Sequence, residues 1–250
     1  MAFVTRFLLL VCLSAFAAQA KPAAAATAAQ QQQDFYAAAS RLLQAHVQEG
    51  QVNYRSLQED EARLQRLVQQ LAVYDLDNVP AAERKAFYLN AYNLLVLWQV
   101  LEHYPLISVM DVPGFFDKQQ HRVAGENLTL NQLEEQKLMA PYQDARVHFA
   151  LVCAAKSCPP LLNTAYVPGR VEEQLEAQTK RALQDPAFIQ VYTEERKVLV
   201  SELFKWYRSD FLRQAPSLSA YINRFRSTPL PPGFRLGYYP YNWSLNDSRK

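Results

Sequence analysis

The chain has 250 residues, with 26 Lys or Arg against 24 Asp or Glu and a formal charge of +2. That balance leaves no basic surplus for a phosphate backbone and no acidic tail, so nucleic acid is not an expected partner. Half of the residues are hydrophobic and only 6 are glycine, which suits a helix-rich globule with a sizeable core.

Residues 1–20 read as a secretory signal. Arg6 supplies a positive n-region, residues 7–17 form an apolar run too short to span a bilayer, and Ala18-Gln-Ala20 is a small-x-small cleavage site. Cys12 lies inside that run, but Val11 before it is too large for a lipoprotein site, so cleavage after Ala20 is expected, with an uncleaved anchor as the alternative. Cleavage would leave a chain of charge +1 with no stable membrane anchor, in the periplasm or the medium. Residues 21–33 are Ala- and Gln-rich and read as a linker that buries too little apolar area to fold alone. Residues 34–250 are expected to form a single domain.

Within it, apolar residues at helical spacing predict a helix over 34–47, stopped by Gly50. A short extended piece at 52–54 precedes a second amphipathic helix over 57–74. Pro80 opens a third that runs to about residue 103, with Pro105 beyond its end. From Ala86 to Val100 this helix is apolar almost all round, so it is predicted to be central. Asn90 and Asn93 lie on one of its faces. Buried amides need partners, so they either tie neighbouring backbone or face a reaction centre as oxyanion donors or histidine orienters. Residues 106–116 read as a mixed apolar loop or short strand. Residues 121–124 and 128–130 read as strands about a turn. Thr129 is a candidate N-cap for a helix over 130–139 that carries Glu134 and Glu135, and charges on so short a helix usually face solvent.

The most informative stretch is Arg146-Val-His-Phe-Ala-Leu-Val-Cys-Ala-Ala-Lys-Ser-Cys-Pro-Pro160. Its alternation reads as a strand with His148 on one face and Cys153 on the other, ended by the prolines. An apolar strand gains nothing from a histidine without a partner or task, and Cys158 lies just past the strand's end. A thiolate near an imidazole is the minimal kit of a cysteine nucleophile. The competing reading is a disulfide between Cys153 and Cys158, the only cysteines beyond the signal. So short a loop gains only about 2 kcal/mol from closure. Alternation makes bridge and nucleophile exclusive in one state, although a redox switch could alternate them. No second histidine stands at ligand spacing from His148, so neither metal nor cofactor is expected.

Further on, 171–185 reads as an amphipathic helix, 188–192 and 198–200 as an antiparallel hairpin, and 202–211 and 218–225 as helices. The aromatic tail, 234–245, is expected to close the sheet or the core. Its rings, with Trp206 and Tyr207, make either a ligand-binding wall or plain core. The fold class is α+β: a small, mainly antiparallel sheet packed on a central buried helix with helices around it.

Several uncommon strings occur in a set order: Ala86-Phe-Tyr-Leu-Asn-Ala-Tyr-Asn93, His103-Tyr-Pro105, Val123-Ala-Gly-Glu126, the stretch from Val147 to Pro160, Phe204-Lys-Trp-Tyr-Arg-Ser-Asp-Phe211 and Asn242-Trp-Ser-Leu-Asn246. Over residues 80–246 the chain resembles the domain-of-unknown-function family DUF547. Some bacterial members look like thiol peptidases of the papain and transglutaminase kind, in which a Glu, a His and a Cys act in that chain order. The resemblance therefore implies Glu134, His148 and Cys158 as catalytic residues, with Glu134 accepting from the ring's second nitrogen. Related plant domains keep a cysteine matching Cys153 and have serine at the position of Cys158, which implies a structural Cys153. Papain places its cysteine ahead of its histidine, at the start of the central helix, so any such fold is rearranged here. The implied activity is an exported hydrolase or acyltransferase acting on a peptide or small amide. The alternative is a non-catalytic exported binding module with the disulfide. The oligomeric state is not legible.

Overall fold

A computed structural model describes residues 20–248, so residues 1–19 of the expected signal, with Arg6, Cys12 and the start of the expected cleavage site, lie outside the described residues. The chain divides into two units, residues 1–35 and 36–250. In the first, residues 20–35 are helical, within α1 (Ala20–His46), which therefore takes in residues 21–33.

The second unit continues on α1 and turns through the two-residue strands β1 (Val47–Gln48) and β2 (Gln51–Val52). The helix expected over 57–74 is two helices, α2 (Tyr54–Glu59) and α3 (Glu61–Val73), broken at Asp60. Leu64, Leu67 and Leu71 of α3 are buried and face α4 (Ala81–His103). Pro80 N-caps α4, and every residue from Lys85 to Leu97 is buried. The apolar periodicity of this segment thus translates into a central helix. Strands β3 (His121–Val123) and β4 (Glu126–Leu128) form an antiparallel hairpin. Thr129 accepts from the Gln132 amide and caps α5 (Leu130–Gln132) in a reciprocal capping box. A π-helix (Leu133–Met139) and α6 (Ala140–Tyr142) follow.

Arg146 to Phe149 is not a strand. Asp144 accepts from the Arg146 amide and guanidinium, and a 3-10 helix (Ala145–Phe149) forms on that cap. Ala145, Val147, His148 and Phe149 are all buried and only Arg146 reaches solvent, so the segment is too short and too buried for polarity to reveal its period. The inference that Cys153 faces away from His148 falls with the strand.

Helix α7 (Val171–Gln184) packs on this 3-10 turn and on α4. Strands β5 (Ile189–Tyr192) and β6 (Lys197–Ser201) form the expected hairpin. The helix expected over 202–211 breaks at Tyr207 into α8 (Leu203–Trp206) and α9 (Arg208–Gln214), followed by α10 (Leu218–Asn223). The tail then adds β7 (Arg235–Tyr239), parallel to β6, because the helical connection returns the chain to the same end of the sheet. The fold is α+β. Its β5–β6–β7 sheet covers an aromatic core in which Phe149, Phe188, Phe204, Phe211 and Tyr221 meet with centroids mostly 5–6 Å apart. Among the described residues no helix is long and apolar enough to cross a membrane.

Beyond β7 the tail clamps the loop that carries the cysteines. Ser244 and Asn242 carbonyls accept from the Lys156 and Ser157 amides at 2.8 and 3.2 Å, and the Asn246 amide donates to Ala154 O at 2.9 Å. Gly50 fits against Pro160 from the other side. It has φ +86°, and a Cβ there would lie 2.2 Å from Pro160 Cβ. Gly50→Ala is therefore expected to cost about 2 kcal/mol or more through strain and overlap, seen as a lower urea midpoint at unchanged m-value. An unchanged midpoint would mean that Pro160 yields freely.

Candidate active site

Asn93 sets the path into the site. Its Nδ2 donates to Ala150 O and its Oδ1 accepts from the Val152 amide, both at 3.0 Å. Asn90 does the same for Tyr166, accepting from its amide at 2.9 Å and donating to its carbonyl and to Ala86 O at 2.7 Å each. Both amides bind backbone on either side, and neither residue is among those lining the cavity described below, which favours the reading in which they tie neighbouring backbone. Asn93→Ala would leave the Val152 amide and the Ala150 carbonyl unpaired in a buried place. A loss of about 2 kcal/mol is expected by urea unfolding, and a loss under about 0.5 kcal/mol would show that solvent replaces the amide.

After Val152 the backbone reverses. Ala154 is left-handed (φ +56°), and the Cys158 amide donates to Ala155 O at 3.1 Å. This turn brings Cys158 Sγ back to 2.7 Å from the Cys153 amide nitrogen, which donates to it. Cys153 Sγ lies 3.1 Å from the Tyr241 hydroxyl. Both cysteines are free in this structure.

His148 is almost wholly buried on the 3-10 helix. Its Nε2 lies 2.7 Å from Asp210 Oδ2 and its Nδ1 3.5 Å from Glu134 Oε1. Tyr207 stacks on the ring at 3.8 Å between centroids and hydrogen-bonds Glu134. Glu134 faces inward from the first turn of the π-helix, whereas Glu135 is exposed, so the general expectation for charges on a short helix fails here for Glu134. One extra residue per turn is a common device for re-aiming a side chain at a functional site.

Glu134, His148, Cys153 and Cys158 line one cavity of about 380 Å³, walled by Tyr92, Phe116, Trp206, Tyr207, Tyr241 and Trp243. The aromatic tail residues are thus cavity wall as well as packing. The structure brings Glu134 to His148 and places Cys158 on the same cavity, but both ring nitrogens have carboxylate partners. Cys158 instead takes its hydrogen bonds from the Cys153 amide and from the groups around it.

Residues 76–183 match the family model described as "Protein of unknown function, DUF547". The match supports the DUF547 family for this chain. No curated protein matches the chain, and no solved structure does. The DUF547 span holds α4 and its two asparagines, Glu134, His148 and both cysteines. Asp210, Tyr207 and the tail that clamps the cysteine loop lie beyond it.

Asp210 was not singled out from the sequence. It stands 62 residues from His148 in the chain, and no local pattern joins them. The signals that could have found it were its place in the string over residues 204–211 that carries the family resemblance and its position three residues after Tyr207, the N-cap of α9.

Electrostatics divide the cavity in two. Burial opposes charge on His148, but hydrogen bonds from its ring to Asp210 and Glu134 outweigh burial and raise its pKa from 6.5, favouring the imidazolium. The same bond holds the Asp210 carboxyl below its ordinary range. At Cys158 burial again opposes charge. Hydrogen bonds from the Cys153 thiol, the Tyr241 hydroxyl and nearby backbone amides nevertheless lower its pKa. Burial and the neighbouring Cys158 push the Cys153 thiol well up. The surroundings thus favour the thiolate at Cys158 and the protonated thiol at Cys153. Among the described residues no group of three or more His, Cys, Asp or Glu is placed to hold a metal ion.

Proposed function

We propose that this cavity is the active site of an exported cysteine-dependent hydrolase or acyltransferase that acts on an amide or peptide bond. The observation that carries the reading is the Cys158 sulfur, set at a cavity wall among hydrogen-bond donors that favour its thiolate. The signal read over residues 1–20 supports work in the periplasm or the medium, on a peptide or small amide.

In this reading the Cys158 thiolate attacks the carbonyl carbon and forms a C–S bond. Asn131, an amide-bearing residue of the cavity wall, takes the oxyanion role in place of Asn90 and Asn93. The departing amine needs a proton. In this reading the His148 imidazolium supplies it, and Glu134, beside the ring on the same cavity, passes it on. Water or a second nucleophile then attacks the thioester, returns its proton along the same path and frees the sulfur. Asp210 touches no reacting atom and acts as a positioning residue that keeps the ring charged and oriented. The papain-like triad is modified accordingly: the imidazolium is a proton store beside the nucleophile rather than its hydrogen-bonded base.

The test is direct trapping. Incubation with an activated ester or anilide, an acid quench and peptide mapping by mass spectrometry are expected to find the acyl group on Cys158. Adducts confined to other residues, or none after prolonged incubation, would overturn the proposal.

A further inference from the structure

The two thiols of the cavity are held together by more than chain proximity. The left-handed Ala154 reverses the backbone, the Cys153 amide grips Cys158 Sγ at 2.7 Å, and the thiols hydrogen-bond one another. The tail fixes the intervening loop through Ala154 O and the Lys156 and Ser157 amides. Both sulfurs line the cavity, and both cysteines are partly exposed. Acyl transfer needs one thiol and gives no reason for a second in contact with it. Thiol–disulfide exchange needs both: an attacking thiolate, and a neighbouring thiol that stays protonated until its turn.

We propose that Cys153 and Cys158 form a reversible dithiol–disulfide site that reduces low-molecular-weight disulfides, with Cys158 attacking and Cys153 resolving. Cys158 Sγ attacks one sulfur of the substrate RSSR. The substrate S–S bond breaks, a mixed disulfide forms on Cys158, and RS⁻ leaves and takes up a proton from solvent. Cys153 then loses its proton to solvent, with the Tyr241 hydroxyl 3.1 Å away to assist, and attacks Cys158 Sγ. The mixed disulfide breaks, the Cys153–Cys158 bond forms, and the second RS⁻ leaves as RSH. Two electrons pass from the dithiol to the substrate, one RSSR becomes two RSH, and an external dithiol resets the site. The order of attack follows from the environments: the amide and hydroxyl donors converge on Cys158, while Cys153 is the donor that gives up its proton late.

This site does not depend on the hydrolase reading, and the two fail separately. Oxidation would also silence acyl transfer by removing the free Cys158.

The test uses the full chain, reduced and then exposed to oxidised glutathione. After an acid quench, non-reducing peptide maps are expected to show a Cys153–Cys158 bridge and release of two glutathione thiols per protein. Cys153→Ser should instead accumulate glutathione on Cys158. Cys158→Ser should react at Cys153 at least roughly tenfold more slowly. Glutathione trapped first on Cys153, or no bridge in the wild type while both thiols remain titratable, would overturn the proposal. The wild-type map is decisive by itself should either variant fold poorly. A bridge formed without acyl trapping leaves the dithiol site standing and removes the hydrolase; the reverse result does the opposite.

Discussion

Asp210→Asn is expected to destabilise the protein by about 3 kcal/mol at pH 6, the low end of the cost of breaking a buried ion pair. His148 is 1% exposed in its side chain and Asp210 15%, and their bond is short at 2.7 Å. Without the carboxylate, the ring keeps only Glu134 at 3.5 Å, too long for a strong hydrogen bond. It must then either stay charged with poor partners or lose its proton. The cost stays near the low end because Asp210 retains some contact with solvent and Arg213 beside it is freed to water. The dependence on pH has a definite sign. The folded pKa of His148 is raised from 6.5, so its contribution is complete below about 6.5 and is lost as pH rises through the folded value. That of Asp210 is lowered from 3.8, so its contribution is present above about 3.8 and is lost as pH falls through the folded value. The stability gap between wild type and Asp210→Asn should therefore be widest between these limits and narrow from pH 6 towards pH 9. Urea midpoints across that range measure it. A gap that is constant with pH would mean that the pair is not ionic.

Cys158→Ser is expected to lower alkylation by iodoacetamide at pH 6 by at least about a hundredfold, since at that pH an ordinary thiol is almost wholly protonated and only the thiolate reacts. In the wild type one cysteine should carry nearly all of the label. Cys153 should label slowly even in Cys158→Ser, because its burial, the largest opposing effect, remains. Label divided evenly between the two cysteines would contradict the asymmetry on which both proposed activities stand.

Features set by neighbours in sequence were legible before the fold. Pro80 and the all-round apolar run announced a buried central helix, Thr129 a cap, and residues 188–200 a hairpin. What failed depends on distant contacts. Arg146–Phe149 mimics a strand because burial of all but Arg146 hides the three-residue period. Residues 202–211 break at Tyr207, whose ring is stacked on a histidine 59 positions earlier in the chain. The candidate residues Glu134, His148 and Cys158 do share a cavity, yet the wiring between them was not readable. It rests on the π-helix that turns Glu134 inward, on Asp210 from α9, and on the tail that holds Cys158 against Cys153. Asn90 and Asn93 show the other side of this limit: residue type and spacing suggested chemistry, and their hydrogen bonds show that they staple backbone.

The account stands most directly on who stabilises the Cys158 thiolate, and ultraviolet thiolate absorbance against pH measures that. Wild type should show one thiol titrating below the ordinary value of 9.0. Its midpoint should rise in Tyr241→Phe and stay nearly unchanged in His148→Gln. A midpoint that returns to an ordinary thiol value in His148→Gln, and is indifferent to Tyr241→Phe, would contradict the account and restore a direct imidazolium–thiolate pair.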